Sequence, residues 1–586
     1  MGFIDRVKKN NTWEKDLTVL LGLIFIILLL NYILASYFIR WDLTEDKRYS
    51  LSPKTVEFLK DEENIPDKIL FRIYLHGEIP AELKKLESSI REKLDEIRVY
   101  ADDKIEYEFI DPNEGSKKEV DELHKQLYDN SYGIKPTDFT ITSTGENKHL
   151  LIWPGAEIIY NGQITGHVQF FQQKRLDPRK NDITTLANST VNNLEYLFVS
   201  AIRRTVTENK KRIGFLTGHG ELNKHETGRL RELLAPFYKV RDIELSDETS
   251  LLNLEGLIVA QPKSAFSTKD KFLLDQFIMK GGKVMWFIDQ VKVNEDSLFL
   301  KGESFGIPYN LNLDDQLFKY GVRVNKDLIV SKKASPIYVP NHPQGILPWL
   351  FFPVLEGAGT NITKNVDPIR SEYVSSLEGV GGDEITKSIV LTAGAQTKIL
   401  KAPVRINFNY VMLKQDFSDP YEYNTAILLE GNFTSFFKNH PVVQILKDSM
   451  NYQFIDRAAE KGKMLVVSDG EILKNDYDSM MMKTTNQPEY RYYSLNFNKY
   501  DIQGHQGRPE MVYGNEEFLQ NMIDYVMEDE TLIDIRSKSI TMRLLDKEKV
   551  ASQKSMWKFI NIVVPLVLIL VLAVVMIIIR KRKYAS

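Results

Sequence analysis

The 586-residue chain contains no cysteine. Disulfide bonds, thiolate catalysis, iron–sulfur clusters and cysteine zinc sites are therefore excluded. The sequence also lacks a P-loop, a G-x-S-x-G nucleophile motif and an H-E-x-x-H zinc motif. Its nine histidines show no metal-ligand spacing. We therefore expect no cofactor, no metal and no enzymatic activity.

Charges of the two signs nearly balance, with 76 lysines and arginines against 80 aspartates and glutamates. The formal net charge is −4, although the chain closes on the basic run Arg580–Lys583, so the middle is acidic and should not attract nucleic acid. Hydrophobic residues make up 43% of the chain and charged residues 27%, which is typical of protein that folds in water. The length predicts several domains.

Long hydrophobic runs occur in two places only. Leu17–Ile39 and Phe559–Ile579 carry no charged residue, and each is long enough to cross a hydrocarbon core of about 30 Å. The second run meets Arg580-Lys-Arg-Lys583, a stop-transfer pattern that places the C-terminus in the cytoplasm. A cleaved signal peptide is the alternative for the first run. We predict two spans, two cytoplasmic termini and a large extracytoplasmic region.

Three residues within these runs are candidate contacts with partner helices. Asn31 lies in the first run, and Asn561 and Pro565 lie in the second. A polar amide in lipid favours a hydrogen-bonding partner helix. Asn561 could equally reach the headgroup layer.

The segment after the first run predicts a small α/β domain. Ser52 is a natural N-cap for a helix over residues 53–61, and strands at 68–75 and 104–110 flank an amphipathic helix at 81–100. This β-α-β unit has a thioredoxin-like appearance, but without cysteine it cannot perform redox chemistry. Polar residues 172–185 read as a linker.

Gly256–Ala260 predicts an apolar strand, and Ser267-Thr-Lys-Asp270 predicts a capping box at the start of the following helix. Strands alternate with helices in this way, which predicts a doubly wound parallel sheet. The predicted organisation is a cytoplasmic segment 1–16, a span 17–39, the thioredoxin-like domain 40–185, a first part of the doubly wound domain 186–334, an insertion 335–460, a return to that domain with a membrane-proximal segment 461–558, a span 559–579 and a cytoplasmic tail 580–586.

A candidate ligand cleft follows from residues at predicted strand ends, because open α/β sheets bind ligands at the carboxyl ends of their strands. Its residues are Gly218, His219, Gly220, Glu221, Asp289 and Asp469. The alternative is purely structural: the glycines form a tight turn, His219 bonds to neighbouring backbone and Glu221 caps the next helix.

Short motifs follow one another along nearly the whole chain. They are Arg40-x-Asp-Leu-Thr44, Tyr49-Ser-Leu-Ser52, Gly218-His-Gly-Glu221, Asp275-x5-Gly281-Gly-Lys-Val284 with Asp289, Gly514-Asn515, Leu532-Ile-Asp-Ile-Arg-Ser-Lys538 and Arg543-Leu-Leu-Asp546. Together they resemble the GldG family of gliding-motility-associated auxiliary components of bacterial ABC transporters. The second domain also resembles the class I glutamine amidotransferase fold, whose cysteine nucleophile is missing here.

The resemblance to the GldG family implies a non-catalytic auxiliary subunit in a Bacteroidetes-type inner membrane. Its implied partners are a cytoplasmic ABC ATPase and an ABC-2-type permease, and its large region would be periplasmic. The alternative function is a membrane-tethered binder of an extracytoplasmic glycan or peptide. A third hypothesis, an envelope hydrolase with a carboxylate site, has no positive sequence support.

Overall fold

A computed structural model gives the fold of the chain. The structure describes residues 18–27, 29, 50–129, 134–143, 146–171, 183–207, 209–339, 345–360, 362–364, 366–408, 417, 421–443, 453–481, 488–498, 500, 513–528, 531–537 and 547–584. They divide into two units, Met1–Lys538 and Ser539–Ser586, which are described separately.

Between residues 50 and 206, the described residues of the larger unit form four helices and six strands. The helices are α1 (Pro53–Lys60), α2 (Ala81–Tyr100), α3 (Lys117–Asp129) and α4 (Ile183–Val206), and the strands are β1 (Ile69–Ile73), β2 (Ile105–Phe109), β3 (Thr137–Ser143), β4 (Glu146–Ile152), β5 (Gly155–Tyr160) and β6 (Gln163–Gln169).

These elements form a four-stranded sheet in the order β2-β1-β5-β6. β1 and β2 pair in parallel across α2, which confirms the predicted β-α-β unit. Ser52 caps α1, as predicted, by accepting a hydrogen bond from the amide of Thr55. Asn161 and Gly162, with φ of 51° and 74°, form the turn between β5 and β6.

α4 corrects the predicted linker. It begins at Ile183, inside the segment 172–185 that the polar residues had indicated as linker, and residues 172–182 lie outside the described residues. Buried Leu194, Phe198 and Ile202 pack into the core of the first sheet together with the apolar face of α2. In the first turns of α4, Ala187 is buried in the same core and Ile183 and Leu186 pack against it, so tertiary packing stabilises a helix start that the polar sequence does not indicate.

The second part is built on a larger sheet. Its strands and helices are β7 (Arg212–Thr217), α5 (Gly228–Leu234), β8 (Lys239–Glu244), β9 (Gly256–Ala260), α6 (Thr268–Met279), β10 (Lys283–Phe287), β11 (Val291–Lys292), α7 (Glu295–Lys301), β12 (Glu303–Pro308), α8 (Asp314–Tyr320), β13 (Val322–Val324), β14 (Asp327–Ser331), β15 (Ala334–Tyr338), β16 (Ile346–Gly357), β17 (Ile369–Arg370), β18 (Leu377–Gly379), β19 (Ile385–Thr392), β20 (Thr397–Lys401), β21 (Val404–Asn407), β22 (Asn424–Gly431), β23 (Gly462–Val467), β24 (Tyr477–Met481), β25 (Pro488–Tyr492), α9 (Asn515–Val526) and α10 (Thr531–Ser537).

The order of the main strands is β15-β16-β19-β22-β23-β10-β9-β7-β8. β8, β7, β9, β10 and β23 pair in parallel, so the alternation of strands and helices predicted this half of the sheet correctly. β22 then pairs antiparallel with β23, and β19 and β16 continue the sheet in the antiparallel sense. The mixed α/β class is confirmed.

Helices cover both faces of the parallel strands. α5 and α9 contribute Leu230 and Phe518 to the core on one face, together with Phe287 of β10. α6 and α8 contribute to the core on the other face, where Trp286 of β10 is fully buried. Because both of their faces are buried, β9, β10 and β23 are almost continuously apolar, whereas the edge strand β8 is largely polar and exposed.

The N-terminus of α6 offers a test of local stability. Ser267 and Asp270 form the predicted capping box, in which the hydroxyl of Ser267 accepts from the amide of Asp270. We expect Ser267→Ala to remove about 1 kcal/mol, which lowers the thermal midpoint of the full chain in detergent by about 2–4 °C. Thr268→Ala, which removes the next hydroxyl of an exposed residue, is the control. Equal midpoints for the two variants would contradict the capping role.

The smaller unit contains helix α11 (Lys547–Tyr584). Its segment Met556–Ile579 has 24 residues, a mean hydropathy of 3.6 and no burial, and among the described residues it is the one helix long and apolar enough to cross a membrane. Asn561 is exposed on it and Pro565 lies within it. Of the predicted first span, Thr18–Ile27 forms a short apolar helix, whereas Asn31 lies outside the described residues.

Candidate functional site

Four parallel strands end at one edge of the large sheet. His219 follows β7 by two positions, Gln261 directly follows β9, and Asp289 and Asp469 follow β10 and β23 by two positions. β7 pairs with β8 on one side and β9 on the other, so the chain changes winding direction beside His219. Such a switch point opens a crevice at the carboxyl ends of the strands.

A carboxylate cluster, formed by Asp289, Asp469 and Glu471, lies at this edge. One oxygen atom from each residue lies within 4.8 Å of the other two. Asp289 and Asp469 are buried, and Glu471 is partly buried. Gln261 joins the cluster because its Nε2 donates to Asp289 Oδ2 at 2.6 Å and also to Glu471 Oε1.

Backbone amides orient these carboxylates. Gly470 N donates to Asp289 Oδ1 at 2.7 Å, and Asp469 accepts from the amides of Glu471 and Glu372, each at 2.8 Å. A Cβ at Gly470 would lie only 2.5 Å from the Cβ of Gln261, so the close approach requires glycine. The cluster is thus held by strand ends and by the 370–373 segment of the predicted insertion.

Burial raises the pKa of all three carboxyl groups, most strongly for Asp469 and Glu471. The charge of Asp289 adds to this rise for both of those residues, because like charges in a low-dielectric site disfavour ionisation. Burial, together with the charges of Asp289 and Glu471, also raises the pKa of Tyr309 to about 12. The cluster can therefore hold protons, accept hydrogen bonds from a ligand, or offer the oxygen atoms that hard cations prefer.

The Gly218–Glu221 turn forms a second, separate group. Gly218 and Gly220 adopt φ of 113° and 77°, which glycine permits without strain. The ring of His219 stacks on Phe266 with a centroid distance of 3.9 Å. Its Nδ1 lies 3.2 Å from Glu221 Oε1, and its Nε2 lies 3.3 Å from Asp270 Oδ2.

The structural alternative for this turn is therefore only partly right. The glycines do form a tight turn, but the His219 ring contacts two carboxylates rather than neighbouring backbone. Glu221 does not cap α5, which begins at Gly228; it accepts from the amide of His219 at 2.6 Å.

His219 predicts a pH-dependent stability. Burial lowers its pKa, but the hydrogen bonds and charges of Glu221 and Asp270 outweigh burial, so the pKa is raised above its ordinary value of 6.5. A group whose pKa is raised by folding stabilises the folded state fully at pH values below its unfolded-state pKa. This stabilisation is lost as the pH rises through the folded-state pKa. We expect the thermal midpoint to fall more between pH 6 and about 8.5 in the wild type than in His219→Gln.

The control for this pH dependence is Glu221→Gln, which keeps an acceptor for the His219 amide but removes one charge. Its midpoint should show a pH dependence between those of the wild type and His219→Gln. Parallel curves for all three proteins would show that His219 does not titrate with folding.

The structure brings two of the predicted residues together and adds two others. Asp289 and Asp469 meet in the cluster, whereas His219 lies between Glu221 and Asp270 and contacts both carboxylates. Glu471 and Gln261 were not predicted. Two local signals were available: Glu471 follows Asp469-Gly470, and Gln261 directly follows an apolar strand. The contact between these two residues depends on the order of the strands in the sheet, which local sequence does not reveal.

A protein-family model matches the part of the chain that contains these residues. The family model described as ABC-type uncharacterized transport system matches residues 210–521, more than half of the chain and the range that holds the cluster. A second model, described as a domain of unknown function, matches residues 45–159.

Individual relatives are distant. A protein of Borreliella burgdorferi, described as an uncharacterized protein, is 22% identical over 337 residues, covering 51% of this chain and 61% of the relative. A solved structure, the mmIFT52 N-terminal domain, shares 12% identity, with 54% of this chain and 97% of that chain covered; its TM-score of 0.30 is too low to indicate a shared fold. From the match over residues 210–521, the chain belongs to the family described as ABC-type uncharacterized transport system.

Proposed function

We propose that this chain is a non-catalytic, membrane-anchored auxiliary subunit of an ABC transporter associated with gliding motility. A separate cytoplasmic ATPase and an ABC-2-type permease would be its partners, as the resemblance to the GldG family implies. The observation that supports this most is that a transport-family match over residues 210–521 and an exposed apolar helix at Met556–Ile579 occur on one chain.

The energy source would lie outside the chain. The sequence has no P-loop, so nucleotide hydrolysis of that kind must come from a partner. One or two spans cannot enclose a transport path, so the path would belong to the permease. The large periplasmic region would then follow or gate permease movements, with both termini in the cytoplasm of a Bacteroidetes-type cell.

The chain would be divided into two membrane anchors and two extracytoplasmic domains. We take residues 17–39 as a second anchor, residues 40–185 as a thioredoxin-like domain and residues 186–334 with 461–558 as an inactive amidotransferase-like domain. Two observations support these assignments. β1 pairs in parallel with β2 in the first domain, and the large sheet of the second contains parallel strands.

The assembly is tested through Asn561. Its amide is exposed within the apolar segment of α11, where a hydrogen bond to a permease helix is favourable. We expect Asn561→Leu to cost about 0.6 kcal/mol of association, or about threefold in the permease recovered with the tagged full chain. Ile562→Leu is the matched control. Recovery of neither permease nor ATPase with the wild type would overturn the proposed assembly.

A second candidate function is the tethered binding of an extracytoplasmic glycan or peptide. The carboxylate cluster and the His219 turn favour it, because both lie at the edge where α/β sheets bind ligands. Cell-envelope glycans and peptides should then raise the thermal midpoint of the full chain, and His219→Gln or Glu471→Gln should reduce that rise. Midpoints that do not change with any such compound would argue against ligand binding.

A further inference from the structure

Three large apolar side chains are exposed within a short segment of the larger unit. Leu300, in the last turn of α7, is 84% exposed, and Phe305 and Ile307, both on β12, are 53% and 56% exposed. Apolar side chains that are exposed singly are common on protein surfaces, whereas a close group of them indicates a surface that binds another apolar surface.

β12 presents Phe305 and Ile307 on one face of a small sheet. It is the middle strand of β11-β12-β21, and successive side chains of a strand point to opposite faces. Ser304 is buried, and a Cβ added to Gly306 would lie 3.2 Å from Leu328 Cδ1 of β14, so these two residues face the core. Phe305 and Ile307 therefore lie on the outer face of the sheet.

Basic residues flank these two side chains on both neighbouring strands. Ile307 lies opposite Lys292 of β11, and Phe305 lies opposite Arg405 of β21. Residues directly opposite each other share one face of a sheet, and both basic side chains are exposed. Glu303, the one acidic residue in the three strands, pairs with Arg405. These five residues, which we call the β12 face, carry a net positive charge, although the chain as a whole carries −4.

This composition matches an anionic lipid bilayer. Aromatic and branched apolar side chains enter the boundary between headgroups and acyl chains, while the stems of lysine and arginine lie along that boundary and place their charges at lipid phosphates. Each basic residue near an anionic surface adds to the attraction. The β12 face combines both contributions, because Phe305 and Ile307 lie between Lys292 and Arg405.

The chain also carries its own bilayer anchor. Residues 538–555 join the end of α10 to Met556, where the apolar segment of α11 begins. Even if this segment were fully extended, it would reach only about 60–65 Å. A tether of this length keeps lipid at a high effective concentration around the larger unit, so even a weak contact with the bilayer is populated.

We propose that the β12 face docks on an anionic lipid bilayer. Phe305 and Ile307 insert at the headgroup boundary, and Lys292 and Arg405 bind lipid phosphates. This role goes beyond the proposed assembly and does not depend on it. Docking is measured on the chain in vesicles without its partners, whereas the assembly is measured by recovery of the permease and the ATPase.

The absence of cysteine allows a fluorophore to be attached at one position at a time. The full chain with Ile307→Cys is labelled with NBD and reconstituted into vesicles of phosphatidylcholine and phosphatidylglycerol. We expect lipid with brominated acyl chains to quench this label at least about twofold more than the same label at Leu252→Cys, because only position 307 contacts lipid. Leu252 is a matched control, since it is 53% exposed on another part of the larger unit.

Lys292→Gln combined with Arg405→Gln tests the basic residues. The pair removes two charges from the β12 face and leaves Phe305 in place, so quenching at position 307 should fall at least about twofold. The same fall is expected in vesicles of phosphatidylcholine alone when both basic residues are intact. Lys239→Gln with Arg241→Gln, which removes two exposed charges from the edge strand β8, is the matched control and should leave quenching unchanged.

Equal quenching at positions 307 and 252 would overturn the proposal. Quenching that appears only when permease and ATPase are present would do the same, because it would assign the β12 face to a protein partner. Disulfide formation between Ile307→Cys chains without quenching would assign it to a second copy. Quenching that neither the Lys292 and Arg405 changes nor the loss of phosphatidylglycerol reduces would overturn the anionic bilayer. If Ile307→Cys does not fold, Phe305→Cys on the same face takes its place.

Discussion

Asp275→Ala is expected to lower the free energy of unfolding by more than about 4 kcal/mol, because each buried donor left without a partner costs about 1–3 kcal/mol. The carboxylate is fully buried on α6 and accepts four hydrogen bonds. The donors are the hydroxyl of Ser435 at 2.6 Å, the amide of Phe436 at 2.8 Å, the hydroxyl of Tyr320 at 2.8 Å and the amide side chain of Gln276 at 2.9 Å. Alanine would leave the donors of Ser435, Phe436 and Tyr320 without this acceptor, whereas Gln276 Nε2 would keep its bond to Ile455 O.

Urea unfolding of the full chain in detergent measures this loss. Asp275→Asn keeps one carbonyl oxygen but turns an NH₂ group toward the remaining donors, so its loss should lie between those of the wild type and the alanine variant. The control is Asp456→Asn, an exposed partner of Lys438 that should change stability by less than about 1 kcal/mol. A loss for Asp275→Ala no larger than that of the control would show that the four bonds do not determine the packing of α6.

The contacts of Asp275 could not be predicted from local sequence patterns. The sequence identified it as one position of a family motif, but its bonds to Ser435 and Phe436 join residues about 160 positions apart, across the predicted insertion 335–460. That region continues the large sheet in the antiparallel sense from β23 through β22. A parallel sheet follows from alternating strands and helices, whereas an antiparallel extension with long loops leaves no such period.

Local signals did predict the elements that position the site. The capping box at Ser267, the apolar strand at Gly256–Ala260 and the amphipathic helix at Ala81–Tyr100 all lie where their residue patterns indicated. Asp289 and Asp469 were placed at strand ends, and the parallel pairing of β10 with β23 brings them together. The carboxylate of Glu471 and the amide of Gln261 become partners only through the strand order β23-β10-β9, which depends on tertiary packing.

Tertiary packing also joins the two parts of the larger unit through α10. This short helix contacts α1 and α4 of the first part and α9 of the second. Leu532 and Ile535 pack against Val199 of α4. α10 is thus the last described element of the larger unit and holds both of its parts, so loss of its contacts should loosen one part from the other.

Arg536 secures α10 by charge as well as by packing. Its Nη1 donates to Asn521 Oδ1 at 2.8 Å and to Asp524 Oδ2 at 3.0 Å, and its guanidinium lies 5.0 Å from the ring centre of Tyr196. Asp524 is 2% exposed and also accepts from the hydroxyl of Tyr238 at 2.7 Å. Removing the arginine would leave a buried carboxylate without its close cation.

Arg536→Met is therefore expected to cost about 3–5 kcal/mol, the penalty of breaking a buried ion pair from one side. Arg536→Lys keeps the charge but loses the planar guanidinium that reaches Asn521, Asp524 and Tyr196 together, so its loss should be smaller. Urea unfolding followed by limited proteolysis separates global from local effects: if α10 detaches first, cleavage near residues 531–537 should precede unfolding of the large sheet. Unchanged urea midpoints and cleavage rates in Arg536→Met would mean that apolar packing of Leu532 and Ile535 alone holds the two parts together.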